Sequence, residues 1–368
     1  MYYCKKAKGV VLMATDTLFF QNVVGNEALK KRLSKDVAEN HLSHAYVIEG
    51  ERGSGRHTVA LSVAAAIECE SRESGGEIDL FGAAHSQTIP CGSCPSCEKI
   101  FGGKSPDVIT VGLEDDKVTI GVETVRNVKN DMYTAPNDLS VKVYIIEDAD
   151  SMTVQAQNAF LLSLEEPPEY VLFFLICENS GNLLETVRSR APTLRTVKIA
   201  DFEIEKYLLE NEKRATELRD EDEESWKMLI FLSGGSIGRA IELLDTKKRE
   251  KILENRKDAE AIIGLLGERN RAAAFEVIAS FGSKRNEIIG KLSYLQYALR
   301  DLLLLKKDEN APLCFFFNRE AAQELSTRFT APALLSLYDA TVSAIDDLEA
   351  NANVRLTLMN MLQSAALI

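Results

Sequence analysis

Apolar residues in the first half of the chain fall into short, nearly unbroken runs separated by amphipathic stretches. The runs at 45–48, 108–111, 141–146, 171–177 and 194–199 are mostly apolar and rich in Val, Ile, Phe or Tyr. Apolar runs without polar alternation predict strands covered on both faces. Helical segments separate them, such as 153–164, whose end is set by Pro167 and Pro168. Alternating strands and helices from about Phe19 to Lys198 predict an α/β fold, a parallel sheet with helices on both sides.

After Ala200 the strand signals stop. Residues 201–258 read as short helices, with the turn Ser233-Gly234-Gly235-Ser236-Ile237-Gly238-Arg239 opening a new one. Residues 259–368 read as long helices, among them 292–306 with its run Leu302-Leu303-Leu304-Leu305, and Pro312 and Pro332 interrupt the pattern. The predicted division is an α/β domain at 1–198, a small helical domain at 199–258 and an all-α domain at 259–368. Residues 68–90, with Gly-Gly, Ser and acidic positions, read as a flexible insertion in the first of these.

Composition narrows the class. The chain has 368 residues, 45% hydrophobic and 27% charged, which is the make-up of a water-soluble protein with room for two or three domains. The opening Met1-Tyr2-Tyr3-Cys4-Lys5-Lys6 leads into an apolar run too short for a secretory signal, and Met13 is a second candidate start. A cytoplasmic protein with no membrane segment is expected. Net charge is −13, from 43 basic and 56 acidic residues, which argues against this chain as the main DNA-gripping element and for protein partners.

The segment Gly50-Glu51-Arg52-Gly53-Ser54-Gly55-Arg56-His57 has the skeleton of a nucleotide phosphate loop between a strand and a helix. Its glycines, Gly50, Gly53 and Gly55, stand where backbone N–H groups would cradle phosphate at a helix N-terminus. The lysine slot holds Arg56, and the hydroxyl slot that would touch magnesium holds His57. Sliding the frame by one brings Thr58 into the hydroxyl slot but puts Arg56 in the glycine position. The strand 141–146 ends in Glu147-Asp148, the reverse of the Asp-Glu order that holds magnesium and polarises water in a hydrolase. Each carboxylate is thereby displaced by about one methylene, and a shift near 1 Å can cost roughly a hundredfold in rate. Glu147 and Asp148 line a degenerate nucleotide pocket, and hydrolysis is not expected.

Seven cysteines occur, three of them in Cys91-Gly92-Ser93-Cys94-Pro95-Ser96-Cys97. Three-residue spacing lets Cys91, Cys94 and Cys97 converge on one tetrahedral Zn²⁺, and a structural site needs a fourth ligand. Cys177, within a strand, reads as a small core residue, and His41 and His44 read as helix-end or core-edge residues.

Residues 143–150, Gln155-Ala156-Gln157-Asn158 and Leu161-Leu162-Ser163-Leu164-Glu165-Glu166-Pro167-Pro168 resemble the AAA+ subunits of the bacterial DNA polymerase III clamp loader. Leu183-Leu184-Glu185-Thr186-Val187-Arg188-Ser189-Arg190 resembles that family's Ser-Arg-Cys region, with Ala191 in the cysteine position. The resemblance spans Phe19 to Arg239 and continues weakly beyond. Residues 299–306 are similar to the collar of the delta-prime type, and the degenerate loop points the same way. The resemblance implies an AAA+ domain with an inserted zinc module, a helical lid and a helical collar. It implies Arg190, beside Ser189, as an arginine finger reaching a neighbouring subunit's nucleotide, with Arg188 and Arg195 close enough to share the role. Arg239 would be the sensor-2 arginine of the nucleotide pocket, and ATP or ADP binding by this chain itself is doubtful. The family places its first zinc ligand where Cys69 stands. The 21 residues between Cys69 and Cys91 leave His85 as a rival.

The implied role is a non-hydrolysing subunit in a hetero-pentamer with gamma/tau and delta subunits, which opens the sliding clamp and loads it on primed DNA. An active gamma/tau-like ATPase is the alternative, and a stand-alone zinc-dependent nucleic-acid-binding module is a third reading.

Overall fold

A computed structural model describes residues 18–72, 88–113, 119–282 and 284–364. The candidate start Met13, the rival ligand His85 and most of the insertion at 68–90 lie outside them. The chain divides into two compact units, one reaching to Tyr207 and including Gly235–Arg239, the other comprising Leu208–Gly234 and the chain from Ala240.

The first unit is built on a five-stranded sheet: β1 (Ala45–Glu49), β2 (Val108–Val111), β3 (Lys142–Ile146), β4 (Val171–Cys177) and β5 (Thr193–Arg195). Their order is β2-β3-β4-β1-β5, every pairing parallel. All seven residues of β4 are buried, and the pleat explains why the run needs no polar alternation. Leu172, Phe174 and Ile176 join a core with α1 (Glu27–Ala38) and α2 (Arg56–Glu68). Val171, Phe173, Leu175 and Cys177 face the other way, towards α4 (Val122–Asp131) and α5 (Val154–Glu165). A shorter helix, α3 (Pro95–Phe101), packs Cys97 and Ile100 into the first core.

The first strand runs one residue further than the sequence pattern, to Glu49, and the last begins one residue earlier, at Thr193; at two other strand ends a side chain takes a backbone N–H. The third strand starts at Lys142, because the N–H of Val141 donates to Glu68 Oε1 (3.0 Å). The last strand ends at Arg195 rather than 199: Val197 N–H donates to Asn26 Oδ1 (2.8 Å) and Ile199 N–H to the Gly235 carbonyl (2.9 Å). Buried carboxylate contacts hold the sheet's lower edge. Asp107 accepts from the N–H groups of Asn137 (2.7 Å), Asp138 (2.6 Å) and Leu139 (3.0 Å).

In the second unit the described residues form helices alone, among them Glu223–Ser233, Thr246–Gly267, Arg285–Leu305 and Ala331–Glu349. Along Arg285–Leu305 the buried positions Ile288, Leu292, Leu295, Leu299 and Leu302 recur every three or four residues, the stripe of a helix with one covered face. Thr246–Gly267 runs unbroken through residues 258 and 259, where the sequence pattern put a boundary. From this helix Arg256, buried, lies over the Phe315 ring (4.3 Å to its centroid) and near the Phe231 ring (5.8 Å). Its Nη2 also donates to the Phe315 carbonyl. Asp301, fully buried, gathers the N–H groups of Cys314, Phe315 and Phe316.

Candidate functional site

β1 leads through residues 50–55 into α2, so the loop lies at the carboxyl end of the sheet, where ligands of open α/β folds bind. Gly53 (φ 80°) and Gly55 (φ 86°) occupy the left-handed region. Gly50 is required for space: a Cβ there would lie 1.8 Å from Thr196 Oγ1. Ser54 Oγ and Thr196 Oγ1 share a hydrogen bond of 2.7 Å. The turn Gly235–Arg239 lies on the loop. Gly238 N–H donates to the Gly53 carbonyl (3.0 Å) and Ser236 Oγ to the Arg52 carbonyl (3.2 Å). Arg239 is half-buried, its backbone N–H donating to Ser236 Oγ (3.2 Å).

Arg56 opens α2 and is buried, with its Nη1 lacking a hydrogen-bond partner among the described residues. The next residue accounts for the acid at the end of β3: His57 Nδ1 bonds the Glu147 carboxylate. The side chain in the hydroxyl slot thus engages the acid that would otherwise be offered to a metal. Asp148 follows in the left-handed region (φ 47°) and starts a short turn. Beside the loop a cavity of about 280 Å³ is lined by Glu49, Ser54, Arg195, Thr196, Lys198 and Ser236, among others. Both of its cations are already paired, Arg195 with Glu49 (2.7 Å) and Lys198 with Glu51 (3.1 Å). Burial raises the Glu49 carboxyl, but the bonds from Arg195 and Ser180 outweigh it and leave it below its ordinary value.

The three arginines near 190 occupy different settings. Arg188 is exposed, and Arg195 is turned to Glu49. Arg190 donates from Nη1 to the Thr186 carbonyl (2.9 Å) and from Nη2 to Glu165 Oε1 (2.6 Å), while Ser189 Oγ donates to Thr186 O (3.0 Å). Sequence reasoning gave no role to Glu165, nor to Gln157, whose side chain joins α5 to the segment leading to Arg190. Gln157 Nε2 donates to the carbonyls of Met152 (3.1 Å) and Asn182 (3.3 Å), and its Oε1 accepts from Leu184 N–H (2.7 Å). The one available signal was their place in the quoted motifs at 155–158 and 161–168.

The sulfurs of Cys69, Cys91, Cys94 and Cys97 lie within 4.8 Å of one another. Sulfurs around a tetrahedral zinc, with bonds near 2.3 Å, sit roughly 3.8 Å apart. The N–H of Cys91 donates to Cys69 Sγ and that of Cys94 to Cys91 Sγ, each at 3.3 Å. Burial raises the Cys91 thiol, but hydrogen bonds from Ser71, Ser93 and Cys94 prevail and bring it down to about 6. Burial pushes the Cys69 and Cys97 thiols up, so their thiolates call for a cation. Four sulfurs so placed fit a soft dication, and these cysteines could hold a metal ion.

A parallel sheet in this order, with a phosphate loop after β1 and paired carboxylates after β3, defines the nucleotide-loop α/β class and is consistent with an AAA+ fold. Residues 25–200 match the sequence profile of the family described as DNA polymerase III, delta subunit. The delta-prime subunit of DNA polymerase III from Bacillus subtilis is 26% identical over 329 residues, 88% of this chain and 91% of that one. The tau subunit of the same organism is 26% identical over 335 residues, 87% of this chain and 56% of its own length. A gamma subunit from Buchnera aphidicola is 26% identical over 291 residues, 78% of this chain and 75% of its own. These matches are all to clamp-loader subunits of DNA polymerase III, delta-prime, gamma and tau alike. The chain spans just over half the length of the tau relative, and identity is equal to all three kinds. Among the described residues no helix is long and apolar enough to cross a membrane.

Proposed function

We propose that this chain is the non-hydrolysing, delta-prime-type member of a cytoplasmic clamp loader. The observation that carries the reading is the His57–Glu147 pair. A hydrolase needs a hydroxyl and a free carboxylate to hold magnesium against the phosphates; here the hydroxyl is absent and the acid is taken by an imidazole. The covering of Gly53 by Gly238, and the pairing of both cavity cations, add to it. The partners are a gamma/tau motor subunit and a delta subunit in a hetero-pentamer, with the sliding clamp and primed DNA reached through that assembly.

Arg190 is the residue lent to a neighbour. Its planar, permanently charged fork suits charge developing on a transferring γ-phosphoryl group, a contribution worth roughly 10³–10⁵ in rate when supplied in trans. Ser189 shares its anchor at Thr186. Cys69, Cys91, Cys94 and Cys97 hold a structural Zn²⁺, which clamps a segment too polar to fold by burial. In the reconstituted assembly Arg190→Ala leaves assembly intact, and clamp-stimulated ATPase falls at least about tenfold. Normal hydrolysis by the mutant assembly would remove the finger assignment.

The equal identity to gamma and tau relatives supports a second reading, an active gamma/tau-like ATPase. Magnesium-dependent ATP hydrolysis by the purified chain, abolished by Arg56→Ala, would establish it.

A further inference from the structure

We infer that Glu165 is a positioning residue for Arg190: it holds the guanidinium by one edge so that the other is presented outward at a fixed orientation. The inference rests on the proposed role of Arg190 in trans. Two anchors fix the group, Glu165 Oε1 on Nη2 at 2.6 Å and the Thr186 carbonyl on Nη1 at 2.9 Å. A guanidinium carries five N–H donors. Two are used here, and the Arg190 side chain retains 35% exposure, so donors remain for an incoming anion.

The placement of Glu165 runs against local preference. It is the last residue of α5, where the helix dipole is negative and a carboxylate is disfavoured. A residue that breaks a local rule calls for a tertiary reason, and the contact with Arg190, 25 positions away, supplies one. The segment that carries Arg190 is tied to α5 a second time through Gln157, at the Asn182 carbonyl and the Leu184 N–H. α5 therefore grips this segment near both of its ends, and Glu165 transmits that rigidity to the guanidinium itself. Of the neighbouring arginines, Arg188 is exposed and Arg195 is turned to Glu49. Selection of one arginine from three thus lies in Glu165.

The test is a double-mutant cycle on clamp-stimulated ATP hydrolysis by the reconstituted assembly, with assembly checked by size exclusion. Glu165→Ala is expected to lower kcat about fivefold, the ceiling for a half-exposed ion pair, with KM for ATP unchanged. Glu165→Gln, whose amide oxygen still accepts from Nη2, recovers most of that loss. In the Arg190→Ala background Glu165→Ala costs nothing further, because its effect passes through the absent side chain. Wild-type turnover by Glu165→Ala beside a slow Arg190→Ala would overturn the inference and leave the finger in place. The same holds if Glu165→Ala slows the Arg190→Ala assembly again. If Arg190→Ala itself turns over normally, the proposed role of Arg190 fails, and the positioning role with it.

Discussion

Asp301→Ala offers a sharp test of how the second unit is held together. The carboxylate is fully buried and accepts from the N–H groups of Cys314 (2.9 Å), Phe315 (2.8 Å) and Phe316 (3.3 Å). Those bonds fix the strand-free segment that delivers Phe315 and Phe316 to the core beside Leu299 and Leu302. Removing the acceptor leaves three donors without partners, each costing about 1–3 kcal/mol if it stays dry. Water entering beside half-exposed Arg300 relieves part of this, and the lost Arg300 pair (2.9 Å) adds little of its own. The expected destabilisation is about 3–5 kcal/mol, a large share of a total near 5–15. Asp301→Asn, which keeps one carbonyl oxygen, should lose about 1–2 kcal/mol. Denaturant titration of the full chain, followed by helical circular dichroism, reads both. A loss under about 1 kcal/mol for Asp301→Ala would refute the claim that one carboxylate organises the segment.

Other expectations concern the metal, the loop and pH. Chelation at neutral pH should make the chain around residues 88–101 newly sensitive to protease, and Cys97→Ala should do the same without chelator, since Cys97 is buried within the cluster. Arg56→Met removes a buried cation whose Nη1 has no hydrogen-bond partner among the described residues, and thermal unfolding should show stability unchanged or raised. Asp107 sits below its ordinary value, because burial, which raises it, is outweighed by the N–H groups of Asn137, Asp138 and Leu139. Its contribution is therefore full above the unfolded value of 3.8 and lost as pH falls through the folded one; Asp107→Asn should flatten that acid limb. His44 is lowered by burial, against the opposing bond to the Leu164 backbone. Its share is present above 6.5 and declines as pH drops below that, and a denaturant series from pH 7.5 to 5 on His44→Gln should lack this slope.

Much of the sheet was legible because its signal is local. Val108–Val111 and Val171–Cys177 are strands wherever such runs are covered on both faces. The end of the last strand was not legible, because Val197 and Ile199 find their partners at Asn26 and Gly235, far away in sequence. Cys91, Cys94 and Cys97 announce a metal site by spacing, whereas what lies opposite them depends on how α2 ends. The missing hydroxyl at His57 could be read, but its engagement with Glu147 could not, since it needs the distance between two strand ends. Glu165 and Asp301 look like ordinary helix charges in the sequence, and only the fold shows what each of them holds. The residues without local signal are those whose partners lie on a different element.

In the proposed role, this phosphate loop supports no catalysis of its own. The most direct measurement is phosphate release by the purified chain, alone, with magnesium and ATP in excess. No release above the protein-free background is expected, and the same result for Arg56→Ala. Sustained turnover at about one per second or faster, in the range of working enzymes and abolished by Arg56→Ala, would contradict that role.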